Sequence, residues 1–307
     1  MGSFFAFKYE QVQIVQLTSS ETATATLLSA YEKTVATQRR AFRFGLIGLC
    51  LAVFLASWMA EVDLLKFVEN SGNFSNYIGR IFVLDSGPAS GRFVLNDIVS
   101  WYWGFSKWTL KLLETLLIAY VATLIGAIGG FFLCFLAAGN LGVSKPVIFI
   151  TRRFLEFCRT VPDLVFALIF VLAFGLGPMA GVLALAVHTL GALGKLFYEV
   201  LENIDQKPVE GLIANGGSWT KTMRFAVLPQ VMSNFLSYGL LRFEINVRGA
   251  SVMGFVGAGG IGQDLIEAIR KFYYPDISAM LVLIIISVTV IDLFTEKLLH
   301  RFISQRH

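Results

Sequence analysis

Four polar residues stand close together in a largely apolar stretch near residue 245: Arg242, Glu244, Asn246 and Arg248. Ionisable side chains are costly inside a bilayer, so they usually face a bundle interior or a water-filled cavity. Glu244 and Arg248 are four residues apart and can pair on one helix face, while Arg242 and Asn246 share another. The planar fork of an arginine suits phosphonate oxygens. The group therefore predicts either a structural ion-pair network or the basic lining of a path for an anion.

A glycine-rich segment follows, from Gly254 to Gly262, and includes Gly257, Gly259 and Gly260. It is not a phosphate-binding P-loop, because no Gly-Lys-Ser/Thr sequence follows it. A dinucleotide fold would need a soluble strand before the glycines and a βαβ unit around them, and neither is present. We interpret the segment as a tight bend near the outer mouth of the protein, which either packs against its neighbours or gates a path.

Residues that could support catalysis or hold a metal are scattered along the chain. Cys50, Cys134 and Cys158 lie far apart, and His188 has no second ligand at metal-binding spacing. We expect His188 to form a hydrogen bond between helices. No Ser/His/Asp arrangement or pair of carboxylates occurs in the apolar segments, so the sequence predicts no catalytic residue, no metal and no cofactor on this chain.

A polar loop, residues 199–223, carries the signals of a short helix between two turns. Pro208 suits a first helical turn, where its missing N–H costs nothing. Glu210 near that end is favoured by the helix dipole. Gly216 and Gly217 can end the helix with a left-handed cap.

Long apolar blocks set the fold class. The 307 residues are 56% hydrophobic and 15% charged, whereas soluble domains average about 25% charged. A helix of about 20 apolar residues crosses the hydrocarbon layer. We predict an all-α membrane protein with about six transmembrane helices. The candidate spans are 44–60, 109–138, 164–174, 179–196, 225–246 and 279–293.

The distribution of lysine and arginine predicts the orientation, because cytoplasmic loops carry the excess of these residues. It places both termini and the 199–223 loop in the cytoplasm and residues 61–107 outside. The predicted division of the chain is an N-terminal segment 1–43, a first span 44–60, an outer loop 61–107, a membrane core 108–300 and a tail 301–307. The membrane core is predicted to be surrounded by the lipid bilayer. A net charge of +4, without aromatic side chains among the basic ones, gives no support for a nucleic-acid partner.

The 199–223 loop and the residues after it resemble the EAA loop of ABC importer permeases: Glu-Ala-Ala, three residues, Gly, about nine residues, Ile-x-Leu-Pro. Four positions are identical: Glu210, Gly216, Leu228 and Pro229. Gly211 and Leu212 stand where that family has Ala-Ala. The resemblance implies a coupling helix that docks into a cleft of an ATPase subunit, and the residues it assigns to coupling are Glu210, Gly211, Leu212, Gly216, Gly217, Leu228 and Pro229.

A second resemblance covers residues 110–300 and is to the phosphonate/phosphite branch of these permeases. It rests on five stretches: 159–170, which begins Arg-Thr-Val-Pro-Asp-Leu, 175–185, 188–195, 242–251 and 254–262. It implies the type I (MetI-like) permease fold, in a bacterial inner membrane, with five core helices beside an extra N-terminal span. ATP and Mg would be bound by a separate cytoplasmic ATPase dimer. The other implied partners are a periplasmic substrate-binding protein and a second copy of the permease.

Several functions stay open at this point. A methionine-type or other small-solute importer shares the glycine-rich segment. A stand-alone secondary transporter would show repeated halves, which are not evident here. A membrane-embedded enzyme would need clustered His, Asp or Glu near one interface, and a scaffold would only recruit a cytosolic protein.

Overall fold

The computed structural model describes residues 31, 33, 35–60, 64–85 and 90–304. The predicted segments 1–43 and 301–307 therefore lie partly outside the described residues. The described part is helical and has no strand, apart from an isolated bridge between Val83 and Phe93. It forms two compact units, residues 1–74 and 75–307. In the first unit, helix α1 covers Val35–Met59 and α2 covers Leu64–Glu69.

The second unit carries the long helices. After α3 (Ser71–Ile81), which begins in the first unit, the chain forms α4 (Ile98–Trp101), α5 (Phe105–Ala137), α6 (Lys145–Thr160), α7 (Asp163–Phe174), α8 (Pro178–Glu202), α9 (Lys207–Ala214), α10 (Trp219–Thr222), α11 (Leu228–Met253), α12 (Ile261–Arg270) and α13 (Tyr274–Ser304).

Four of the described helices, α1, α5, α8 and α13, are long and apolar enough to cross a membrane. A fifth crossing element is the pair α6 and α7, if the two count together. The predicted span 225–246 is α11, whose 26 residues extend about 39 Å. Helix α11 has too many polar side chains to count as a span by composition, although it packs against α5, α8 and α13. The all-α membrane fold is confirmed, with four or five spans identified by length and composition and α11 at the position of a further predicted span.

The predicted third span, 164–174, is too short to cross alone. Helix α7 has 12 residues and extends about 18 Å. It meets α6 at a bend of 87°, beside Pro162. A proline disfavours helical geometry in the residue before it, and Val161 accordingly has an extended backbone.

The predicted outer loop, 61–107, is not irregular, because it includes α2, α3 and α4. Asp97 caps α4 by accepting hydrogen bonds from the Ser100 N–H and hydroxyl, at 3.1 and 2.9 Å, and these bonds hold the pKa of Asp97 below its ordinary value. Two tryptophans of this region, Trp101 and Trp108, are buried. The indole N–H of Trp101 donates to the Ser278 hydroxyl at 3.0 Å.

Glycines allow α5, α6 and α8 to approach closely, as the glycines of the second predicted span suggested. A Cβ added to Gly126 would lie 2.6 Å from the Thr189 side chain, and one added to Gly130 would lie 2.9 Å from the Gly194 backbone nitrogen. A Cβ on Gly191 would lie 2.6 Å from the backbone of α6, at the Arg159 nitrogen. Backbone cannot move aside as a side chain can, so helix α8 must keep glycine where it crosses α6.

Replacing Gly191 by alanine tests this contact. We expect Gly191→Ala to destabilise the folded protein by about 1–3 kcal/mol, because overpacking forces the backbones of α6 and α8 apart. The matched control is Gly239→Ala in α11, where an added Cβ meets nothing within 4 Å. Thermal unfolding of the detergent-solubilised protein should show a lower midpoint for the first variant only. Equal midpoints for the two variants would contradict the close contact.

Candidate coupling and translocation sites

Helix α9 is a short helix with defined ends, as predicted for the 199–223 loop. Pro208 stands in its first turn, and Glu210 is also there. At the other end Gly216 has a φ of +73°. The N–H of Gly216 donates to the Ile213 carbonyl and the N–H of Gly217 to the Leu212 carbonyl, both at 2.9 Å. This pair of bonds is a Schellman motif, which satisfies the last carbonyls of the helix.

The inner side of α9 is attached to the bundle. Val209 is buried, and Leu212 packs against the same apolar cluster, which includes Val227 of the following segment. The backbone N–H of Asp205 donates to the Gln230 side-chain oxygen at 3.0 Å, and the Gln230 amide donates to the Asp205 carbonyl at 3.2 Å. These contacts tie the residues just before α9 to the start of α11.

The outer side of α9 offers groups that the described chain does not use. Glu210 is exposed, and its carboxylate forms no hydrogen bond or ion pair with the described residues. Ile213 is 60% exposed, and Trp219 just beyond the helix is 55% exposed. Gly211 is exposed, and a Cβ at that position would meet nothing within 4 Å. Glu210 and Ile213 therefore offer an acid and an apolar group on α9, and Trp219, whose ring also meets Phe135 edge-on at 6.5 Å between centroids, is partly exposed beside them.

Leu228 and Pro229 do not begin a separate helix after a loop. Helical geometry runs from α10 through a π-helical turn, Met223–Val227, into α11. The N–H of Leu228 donates to the Met223 carbonyl, five residues back. Pro229 has no N–H, and its ring clashes with the carbonyl four residues earlier. A single wider turn relieves this clash, and such turns are frequent at functional sites.

A polar network lies in the middle of the bundle, centred on Asn246. Its amide group donates to the hydroxyls of Thr123 and Thr189, at 2.8 and 2.9 Å. Asn246 and Thr189 are buried at 1% and 0% exposure. The three side chains belong to α11, α5 and α8, so the network sets the register of these helices.

Arg242 extends this network toward α6. Its guanidinium donates to the Thr189 hydroxyl at 3.3 Å and to the His188 Nδ1. The other ring nitrogen of His188 lies 3.1 Å from the Arg159 carbonyl oxygen, so His188 is an interhelical hydrogen-bonding residue, as predicted. Helix α11 continues to Met253, beyond the predicted end of the span at residue 246, and Arg242 and Asn246 therefore lie away from its ends.

Glu244 and Arg248 form the predicted ion pair, and a third residue joins them. The Arg248 guanidinium also lies 3.1 Å from a carboxylate oxygen of Asp292 on α13. Sequence reasoning missed Asp292, although it is the one acid within the apolar run of residues 277–295. The triad holds α11 to α13, which supports the structural interpretation of this pair.

The glycine-rich segment is a compact turn that packs against the turn before α8. The N–H of Gly177 donates to the Gly257 carbonyl at 2.9 Å. Gly259 has a φ of +89°, and a Cβ there would lie 2.8 Å from the Pro178 Cα. Gly260 has a φ of +78°, and its Cβ would lie 2.5 Å from the Thr115 hydroxyl. Close packing accounts for these glycines.

Two side chains of α5 hold the same segment in place. The N–H of Gly260 donates to Glu114 at 3.2 Å, and the N–H of Ile261 donates to the Thr115 hydroxyl at 2.9 Å. Lys107 of α5 forms an ion pair with Asp264 of α12 at 2.7 Å. The glycine-rich segment is therefore held by α5 and by the turn before α8.

A cavity of about 540 Å³ opens between α8 and α11 at the end of the bundle that carries α9. Its polar lining residues are Glu199, Asn203, Asp205, Gln230, Asn234 and Tyr238. Tyr238 is one helical turn before Arg242, so the cavity leads from the α9 end toward the polar network. Among the described residues no group of three or more His, Cys, Asp or Glu side chains could hold a metal.

Comparison with protein families identifies residues 130–306 with the binding-protein-dependent transport system inner membrane component. This match covers the bundle from the last quarter of α5 onward, and includes α9, α11 and the glycine-rich segment.

Two similar proteins are also transport permeases by name. The phosphite transport system permease protein PtxC of Stutzerimonas stutzeri is 38% identical over 199 residues, which cover 65% of this chain and 72% of that protein. The phosphate-import permease protein PhnE of Mycolicibacterium smegmatis is 40% identical over 180 residues, 59% of this chain but 34% of that protein.

A solved structure has the same fold at low sequence identity. The inward-facing MetNI methionine ABC transporter matches with a TM-score of 0.55 and 19% identity, over 64% of this chain and 95% of that chain.

Proposed function

The chain belongs to the family of inner-membrane components of binding-protein-dependent transport systems, and from this premise we propose that it is the permease subunit of an ATP-driven importer of phosphorus oxyanions. Phosphite and phosphate are the substrates named for two similar proteins, and phosphonate shares their chemistry. The observation that carries the proposal is helix α9, whose outer face is free while its inner face is fixed to the bundle.

The ATPase docks on α9. An exposed, unpaired carboxylate on Glu210 and the exposed side chains of Ile213 and Trp219 are the mixed charged and apolar surface that a protein interface requires. The coupling residues Glu210, Gly211, Leu212, Gly216 and Gly217 belong to α9 and its cap, and Leu228 and Pro229 follow the π-helical turn. ATP and Mg are held by the partner ATPase dimer.

Motion of α9 shifts the bundle between two conformations. Closure of an ATPase dimer moves two docked helices, and each passes the displacement to α11 through Val209, Gln230 and the π-helical turn. A ligand can shift a conformational equilibrium only by its differential affinity for the two states. ATP, which binds the partner ATPase, has this differential affinity for the two states. This chain provides the rigid connection between the ATPase and the bundle.

The anion passes along the polar faces of α8 and α11. Arg242 is a cation that donates hydrogen bonds to His188 and Thr189 rather than to a carboxylate. It can therefore attract an oxyanion at the level of the polar network, and the polar cavity beyond Tyr238 leads to the α9 end. Glu244, Asn246 and Arg248 position the helices. The residues Gly257, Gly259 and Gly260 pack the outer turn and move with α5 and α8.

We also propose an orientation and two further partners. The α9 end and both termini face the cytoplasm, and the glycine-rich end faces the periplasm, where a binding protein delivers the substrate. A second copy of the chain completes the path, because an ATPase dimer offers two docking clefts. A methionine-type importer is the alternative for the substrate, and a stand-alone secondary transporter is the alternative for the mechanism.

Reversing one charge on α9 tests the coupling role. We expect Glu210→Lys to weaken binding of the partner ATPase by about 2 kcal/mol or more, because loss of one member of an interfacial charge pair leaves the other unpaired. The variant should insert normally, lose ATPase in co-purification, and lose uptake.

The matched control is Glu267→Lys, which makes the same change at an exposed acid of α12, at the opposite end of the bundle. It should retain the bound ATPase. Undiminished co-purification of the ATPase with Glu210→Lys would exclude the proposed docking.

Removing the charge of Arg242 tests the path. We expect Arg242→Gln to raise the KM for phosphite uptake about tenfold to a hundredfold, the equivalent of the 1.5–3 kcal/mol of a charged hydrogen bond. Arg242→Lys should retain part of the affinity because it keeps the charge. If both variants lose folded protein but keep the parental KM, Arg242 is only structural.

A further inference from the structure

Helix α6 has a polar face that the proposed transport cycle does not use. Leu155 and Cys158 are buried against the bundle. Phe149, Ile150 and Phe157 are each more than 60% exposed on the other side. Between these two faces stand three arginines and one acid: Arg152, Arg153, Glu156 and Arg159.

A pocket of about 220 Å³ lies between this polar face and helix α8. Four of its lining residues are cations, Arg152, Arg153, Arg159 and Lys195, and the others are Leu155, Glu156 and Tyr198. A basic concavity with a tyrosine wall has the groups that bind a phosphate: guanidinium forks, an ammonium and a hydroxyl.

The carboxylates around the pocket do not neutralise it. Arg152 pairs with Glu202, Arg153 with Glu156, and Lys195 with Glu199 at 3.4 Å. Arg159 has no ion pair with any described residue, and its side chain is exposed. Four cations against three carboxylates leave one positive charge beside an open pocket.

The backbone and ring contacts preorganise the site. The Arg152 Nε donates to the Ala137 carbonyl at 2.9 Å, and its guanidinium lies over the Tyr198 ring, 4.7 Å from the centroid. The Arg159 carbonyl oxygen accepts a hydrogen bond from the His188 ring. The two ends of the basic face are therefore held by α5 and α8.

We infer that this pocket binds one singly charged phosphate group, from an anionic phospholipid head group or from a free phosphorus oxyanion. The exposed aromatic and aliphatic face of α6 suits the interface of a bilayer, where amphipathic basic helices lie. Basic pockets between transmembrane helices bind anionic lipid head groups. The net charge of the pocket matches a phosphodiester, which carries a single negative charge.

Native mass spectrometry of the full chain, purified in detergent, tests the inference with two probes. Binding of phosphatidylglycerol in excess of phosphatidylcholine reports recognition of an anionic lipid head group. Binding of inorganic phosphate in the absence of lipid reports recognition of the free anion. We expect retention of at least one probe, weakened about fivefold in Arg159→Gln and about thirtyfold in Arg159→Gln with Lys195→Gln, since each basic group near the surface contributes a fivefold effect.

Two control variants distinguish a specific loss of phosphate binding from a general loss of charge or of folded protein. Arg159→Lys keeps the charge and should keep most of the binding, and Lys271→Gln removes an exposed cation from α12 and should change nothing. Loss of phosphatidylglycerol in the double variant assigns the lipid head group, and loss of inorganic phosphate assigns the free anion. Equal retention of both probes by the parent and the double variant would overturn the inference. So would a parent protein that neither prefers phosphatidylglycerol over phosphatidylcholine nor binds inorganic phosphate. These readouts do not depend on transport, so their failure leaves the proposed function untouched.

Discussion

The structure depends on satisfying polar groups in the middle of an apolar bundle. Hydrocarbon offers no water to a buried amide or guanidinium, so Asn246 and Arg242 must find partners on other helices. The hydroxyls of Thr123 and Thr189 and the ring of His188 supply them. A shift of α5, α8 or α11 by one turn would break several of these bonds together. The network therefore selects one register, and the glycines of α5 and α8 make that register sterically accessible.

The two ends of the bundle are built for different tasks. At one end Gly177, Gly257 and the α5 side chains lock a compact turn. At the other, α9 is fixed on its inner face and free on its outer face. A rigid bundle with one free docking helix can transmit force that it does not generate, which is the division of work expected of a permease whose energy comes from another subunit.

The sequence predicted features that arise from local chemistry. Pro208, Glu210 and Gly216 encode the start and end of α9 through the needs of the helix termini, and the Glu244–Arg248 pair follows from helical spacing. Partners distant in the sequence were not predictable: Asp292 joins the pair across 44 residues, and the buried Trp101 finds its partner on α13. The length of α11 was also missed, because its polar residues interrupt the apolar pattern while tertiary contacts continue the helix. The docking and path roles of the named residues stay predictions.

The most direct measurement is uptake of labelled phosphite into proteoliposomes that contain this chain with and without its partner ATPase, with the binding protein outside and ATP inside. The account predicts concentrative uptake only when both the ATPase and ATP are present. Accumulation of phosphite by the chain alone, driven by an ion gradient and without nucleotide hydrolysis, would contradict it.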